Sequence, residues 1–152
     1  MFHLRSSRKN QCHVADLSAG VESYLAWRKT NWNDQVRKNE RRKRQGERQW
    51  GPMRIETACP RTSDHFHTLM TWKQAKYIET NRHNVLGVPW INAFLRHLYQ
   101  SSDPDFSGQI TTLFFGEHLA ALEFGLRAGD AMHSWFPAFD RNYAQVSPGI
   151  LL

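Results

Sequence analysis

The sequence predicts an α+β domain with helices packed on an antiparallel meander, and three observations predict it. Apolar residues recur at helical spacing through the earlier part of the chain, as at Phe66, Leu69, Met70 and Tyr77. After Gly108 the pattern changes to short strand-like runs, QITTLFF, HLAALEFGL and AMHSWFPAF. Tight breaks at Gly116-Glu117 and Ala128-Gly129-Asp130 separate these runs, and glycine supplies the positive φ that a hairpin turn requires. Helices first and hairpin-linked strands afterwards make segregated layers rather than alternating βαβ units.

Each element has its own signal. Residues 1–17 show no periodicity and form an irregular lead-in, with the folded domain over 18–152. From Val21, the apolar residues Tyr24, Leu25, Trp32 and Val36 lie on one side of a helix that carries cationic residues on its other sides and ends at Gly46 or Gly51. MRIETA, 53–58, follows a Gly-Pro break and alternates as a strand does. A second helix, SDHFHTLMTWKQAKYIET, starts behind a Ser63 or Asp64 cap, and a third opens at Pro89 with Trp90, Ile91, Phe94, Leu95 and Leu98 as a wide apolar stripe. Ala120, Leu122, Phe124 and Leu126 are expected on one face of the middle strand. At the end of the chain, Ser147-Pro148 signals a helix start, with serine as cap and proline in the first turn.

A chain of 152 residues with 40% hydrophobic content buries one core. No apolar run approaches the roughly 20 residues of a spanning helix, and no secretory signal opens the chain, so the expected location is the cytoplasm. Cys12 and Cys59 lack CxxC partners and read as free thiols, without a metal or a disulfide framework. The net charge is +6, and the segment from Arg28 to Arg48 holds nine Lys/Arg against three Asp/Glu. The excess therefore resides in that one segment, and a charge run on a helix is ordinarily a solvated face, which argues against nucleic acid as a partner. His65-x-His67 supplies too few ligands for zinc, and two helical residues at i and i+2 diverge. No GxSxG or GxxxxGK[ST] motif is present, which removes support for nucleophilic and nucleotide hydrolysis.

The C-terminal region concentrates the chemistry. An aromatic strand, His133-Ser134-Trp135-Phe136, runs through Pro137 into a short connection and then a capped helix start with Gly149. Glycine at such a junction lets an anion approach the backbone. The order DLSAGVESYLAWR, RKNERRKR, GPMRIE, WKQAKYIET, VPW, GEHLAALEFGLRAGDAMHSWFPAFD and YAQVSPGILL resembles the acetyltransferase-like domain of CelD-type cellulose biosynthesis proteins. These are a branch of the GNAT superfamily related to Fem-type aminoacyltransferases. The resemblance spans about nine tenths of the chain, from Cys12 to Leu152.

The resemblance implies an acyl-CoA-dependent N- or O-acyltransferase of exopolysaccharide, cellulose or cell-envelope synthesis, with acyl-CoA (acetyl-CoA) as co-substrate, no metal, and an amine or hydroxyl acceptor. It implies pyrophosphate contacts from Gln145, Val146, Ser147 and Gly149, and a wall beside the pantetheine arm from Trp135, Phe136 and Pro137. His133 and Asp140 are the candidate general bases, and Lys73 and Tyr77 face the acceptor. Phe139 stands where the family often has tyrosine, which removes one phenolic acid. GNAT domains continue past the helix that SPG begins, so the expectation is an incomplete GNAT-like domain lacking its C-terminal strand and helix, with an uncovered sheet edge open to self-association. The alternative is a non-catalytic basic module or inactive fragment in which the face from Arg37 to Arg48 binds anionic polymers.

Overall fold

A computed structural model describes residues 13–57 and 64–152. Cys12, Cys59 and Ser63 lie outside the described residues, and with them the thiol reading and one of the two cap candidates; of the strand expected over 53–58, Ala58 is likewise outside, and the strand already ends at Glu56. The chain divides into two compact units, Met1–Lys38 and Asn39–Leu152.

In the first unit, α1 spans Val21–Asn31 and buries no residue. The single helix expected from Val21 is interrupted at Trp32 (φ −132°, ψ 38°), and α2 runs over Asn33–Trp50. The cause lies in the sequence Thr30-Asn31-Trp32-Asn33-Asp34. Thr30 Oγ1 donates to the Ala26 carbonyl at 3.1 Å and Asn31 Nδ2 to the Trp27 carbonyl at 2.9 Å, and such side chains compete with the helical ladder. Trp32 packs edge-on to Trp27, with ring centroids 5.3 Å apart.

The second unit starts within α2 and holds the sheet. β1 (Met53–Glu56), β2 (Phe106–Phe115), β3 (His118–Ala128) and β4 (Ala131–Phe139) form one antiparallel sheet in the order β1-β2-β3-β4. Consecutive strands are neighbours, as in a meander. Gly116 and Gly129 take φ of 56° and 59° in the two hairpin turns, a region costly for any side chain with a Cβ. Between β1 and β2 lie α3 (His65–Glu79), a 3-10 turn (Val85–Gly87) and α4 (Pro89–Gln100). After β4 come a 3-10 segment, Arg141–Val146, and α5, Pro148–Leu151. The α+β class and the helices-on-meander arrangement are those read from the sequence.

Both faces of the sheet are covered, which is why Ala120, Ala121 and Leu122 are buried in succession. On one face, Phe66, Leu69 and Met70 of α3 and Leu95, Leu98 and Tyr99 of α4 pack on Ile110, Leu122, Phe124 and Ala138. On the other, Leu113, Phe115 and Ala121 meet Tyr143 and Val146, with Trp50 at the margin. The expected alternation of Ala120 with Leu122 fails. The β2–β3 register shifts between Leu113 and Phe114, so that Leu113 faces Ala121 and Phe114 faces Leu119. The extra residue, Ala120, joins Ala121 in the second core cluster, as a bulge resets the side-chain period.

β4 is the strand at one end of the sheet. Its Pro137 suits that position, because proline offers no N–H to a neighbouring strand. Among the described residues, no helix is long and apolar enough to cross a membrane.

Candidate active site

The site is built at the end of β4, where three elements converge. Asp140 N–H donates to the Ala120 carbonyl at 3.0 Å, and Ala138 stands opposite Leu122 in the register. Antiparallel strands alternate between residues that bond to the neighbour and residues whose backbone groups face away. Pro137 and Phe139 therefore turn their backbone polar groups outward. Lys73 confirms the direction at Pro137, since its Nζ donates to the Pro137 carbonyl at 3.0 Å.

A cavity of about 450 Å³ opens over this edge. Its floor is Pro137, Ala138 and Phe139; one wall is Trp72, Lys73, Lys76 and Glu79 of α3. Those positions, i, i+1, i+4 and i+7, form one face of a helix. The other wall is Arg141 and Ala144 of the 3-10 segment, then Ser147, Gly149 and Ile150. Ser147 adopts the left-handed conformation (φ 48°, ψ 59°) and makes no side-chain cap bond, so its expected capping role is replaced by a turning role between the 3-10 segment and α5. A Cβ placed on Gly149 would lie 3.6 Å from Pro137 Cβ and 3.7 Å from Phe139 Cδ1. These are ordinary contacts, so a side chain at position 149 would enter the cavity without displacing its walls.

The electrostatics favour an anion. Lys73, Lys76 and Arg141 line the cavity, and Glu79 is its single lining carboxylate. Glu79 Oε2 accepts from Arg141 at 2.7 Å and from Lys76 at 3.1 Å. The Lys76 hydrogen bond first, with the Arg141 charge assisting against slight desolvation, holds the Glu79 carboxyl below its ordinary range. Its contribution to stability is thus present above the unfolded-state pKa and is lost as pH falls through the lowered one. Burial, aided by Arg82, lowers the pKa of Lys73, whose Nζ lies 5.9 Å from the Phe136 ring centroid and 5.7 Å from that of Tyr77.

Of the residues expected from the sequence, the cavity gathers Lys73, Pro137, Ser147 and Gly149. Tyr77 is half-buried and packs beside the first core cluster. Phe136 stacks on Phe124 at 5.5 Å and packs against the first core cluster, whereas Trp135, 5.9 Å from the same ring, stays exposed; neither lines the cavity. Val146 is wholly buried in the second cluster. Gln145 is exposed and donates to Gln49 Oε1 at 2.8 Å. His133 is exposed on β4, its Nδ1 accepting from the Trp135 indole at 3.0 Å. Asp140 caps the 3-10 segment by accepting from Asn142 N–H at 2.9 Å. Neither candidate base lines the cavity. Trp72, Lys76, Glu79 and Arg141 were not singled out in the sequence. The i, i+4, i+7 series Trp72, Lys76 and Glu79, beside Lys73, could have been found by helical spacing, whereas Arg141 reaches Glu79 across 62 residues and leaves no local signal. Among the described residues, no group of three or more His, Cys, Asp or Glu side chains could hold a metal ion.

A meander flanked by helices thus carries a largely apolar, cation-lined cavity at the end of its fourth strand, of a size suited to a small molecule. The chain belongs to the GNAT acetyltransferase family: the sequence model of the acetyltransferase (GNAT) domain matches residues 34–152. No curated protein and no solved structure matches it significantly. GNAT domains use acetyl-CoA as co-substrate, which fits the family's acyltransferase activity.

Proposed function

We propose that the cavity at the end of β4 receives the acyl-thioester arm of acyl-CoA and that the domain transfers the acyl group to an amine or hydroxyl acceptor in exopolysaccharide, cellulose or cell-envelope synthesis. The observation that carries the reading is the juxtaposition of outward-facing β4 backbone at Phe139 with three lining cations and the open space at Gly149. The size is suitable, since pockets for small ligands span about 300–1,000 Å³. The residues fit the co-substrate. An extended arm bearing amides can add to a strand edge through main-chain hydrogen bonds, and Lys76 and Arg141 offer charge-assisted bonds to phosphate oxygens.

When bound, the co-substrate supplies an activated acyl carbonyl. The chain's own contribution is then to align donor and acceptor and to exclude water, a positional effect that can supply many orders of magnitude in rate. The acceptor nitrogen or oxygen forms the new bond to the acyl carbon and gives up one proton, the carbon–sulfur bond breaks, and the coenzyme takes up a proton and leaves as a thiol. The polysaccharide setting is supported by the order of motifs from DLSAGVESYLAWR to YAQVSPGILL.

The test is acetyl transfer from acetyl-CoA to a panel of amino sugars and sugar hydroxyls, followed by thiol release. Release that depends on one class of acceptor supports the proposal; tight acetyl-CoA binding without transfer to any sugar removes the polysaccharide assignment. A second expectation concerns the cavity charge. Glu79→Gln frees Lys76 and Arg141 from their carboxylate partner, so acetyl-CoA should bind about two- to fivefold more tightly at low ionic strength, with the gain shrinking as salt is added. Titration calorimetry at two salt concentrations reads both effects, and weaker binding by the variant would mean that the two cations do not face the ligand's charge.

A further inference from the structure

We propose that Lys73 is a self-acylation site, an amine on the cavity wall that takes an acyl group from a bound acyl thioester and keeps it as a stable amide. The inference rests on the proposed acyl-CoA site and adds a modification of the protein itself. Its basis is the position of one atom. Lys73 Nζ lies 3.0 Å from the carbonyl of Pro137, on the outward edge of β4 along which the thioester arm is proposed to run. Phe136 and Tyr77 stand beside it at 5.9 and 5.7 Å, so the amine is held over aromatic rings rather than extended into water.

Among the described residues, the other lysines lack this combination. Lys76 shares the cavity wall, yet it is exposed and engaged with Glu79 at 3.1 Å. Lys73 is half-buried and has no carboxylate partner among its described contacts. An amine attacks only in its neutral form, and burial, with Arg82 adding repulsion, lowers the pKa of Lys73 and so enlarges that fraction.

The step balances without a further reagent. The ammonium loses one proton to solvent, and the neutral Nζ attacks the thioester carbonyl. The carbon–nitrogen bond forms, the nitrogen sheds its second proton, the carbon–sulfur bond breaks, and the coenzyme leaves as a thiolate that takes up that proton. The product is an amide whose remaining N–H can still donate to the Pro137 carbonyl. One positive charge is lost from a cavity whose other lining charges are Lys76, Arg141 and Glu79, so acylation should also weaken retention of an anionic ligand.

The experiment incubates the 152-residue chain with acetyl-CoA, measures binding by calorimetry, and locates acetyl groups by peptide mass mapping. The same mapping is done on the chain unfolded in urea. The expected result is acetyl-CoA binding, with acetylation at Lys73 at least tenfold faster than at Lys76 in the folded chain and equal at both in urea. Gly149→Asp, with its fold checked by circular dichroism, should suppress the Lys73 adduct. Binding without preference for Lys73 overturns the self-acylation proposal alone. Absence of binding overturns the donor site and the self-acylation together.

Discussion

Replacing Gly149 by aspartate should reduce acetyl-CoA affinity by at least about 100-fold, because like charges brought together in a partly dry site cost several kcal/mol. The position is open in the required sense. A Cβ there makes only ordinary contacts with Pro137 and Phe139, and Gly149 is not among the residues with positive φ. The backbone therefore accepts a side chain without strain, and the loss is not one of folding. Gly149→Asn, of nearly equal size and without charge, separates the two causes. Its loss should be smaller, and the Asp-to-Asn difference should fall at high salt as screening grows. Calorimetric titration of the three proteins, with matched thermal midpoints, checks the expectation.

The second large effect is on stability. Phe124→Ala should destabilise the second unit by about 3–5 kcal/mol, the usual range for deleting a fully buried phenylalanine. Phe124 is 0% exposed, and its ring meets Phe66 at 6.4 Å, Phe136 at 5.5 Å and Trp135 at 5.9 Å. Truncation leaves a void that joins α3 to β4, and these are the two elements that hold Lys73 against Pro137. Since small domains are stable by about 5–15 kcal/mol, the variant should stay folded only narrowly. Urea unfolding should show a lower midpoint at an unchanged slope. Acetyl-CoA binding by the folded fraction should weaken as well, because the ring under Phe136 no longer steadies the cavity wall.

The strands were legible in the sequence because each carries its turn. Gly116 and Gly129 are the residues that hairpins of two-residue loops require, and the three runs between and beside them became β2, β3 and β4. The apolar face of α3 was likewise readable from Phe66, Leu69 and Met70, which repeat at helical spacing and are buried. Two features were not. The interruption at Trp32 arises from side-chain bonds of Thr30 and Asn31 to helix carbonyls, a local competition that hydrophobic periodicity does not register. The bulge at Ala120 changes which face a residue takes while leaving the composition of the run unaltered, and only pairing with β2 reveals it.

The candidate site was legible in part for a similar reason. Ser147 and Gly149 carry the signal of a helix start and Pro137 was named through the resemblance, and all three line the cavity. Phe136 and Val146 carry apolar side chains that the cores on the two faces of the sheet take up. His133 and Asp140 were candidate bases for the acyl transfer that the resemblance implies. Their nearest polar partners proved to be the Trp135 indole and the Asn142 amide. The pairing of Glu79 with Arg141 joins α3 to the 3-10 segment, and no window along the chain contains both.

The most direct measurement is a backbone amide NMR titration of the isotopically labelled chain with acetyl-CoA. The largest shift changes are expected on Phe139, Ser147 and Gly149, with smaller ones on Lys76 and Arg141, and saturation of the bound ligand's arm should transfer to the Phe139 amide. Changes confined instead to Arg41, Gln45, Arg48 and Gln49, which line an open groove on α2, would contradict this and place the ligand on the basic helix.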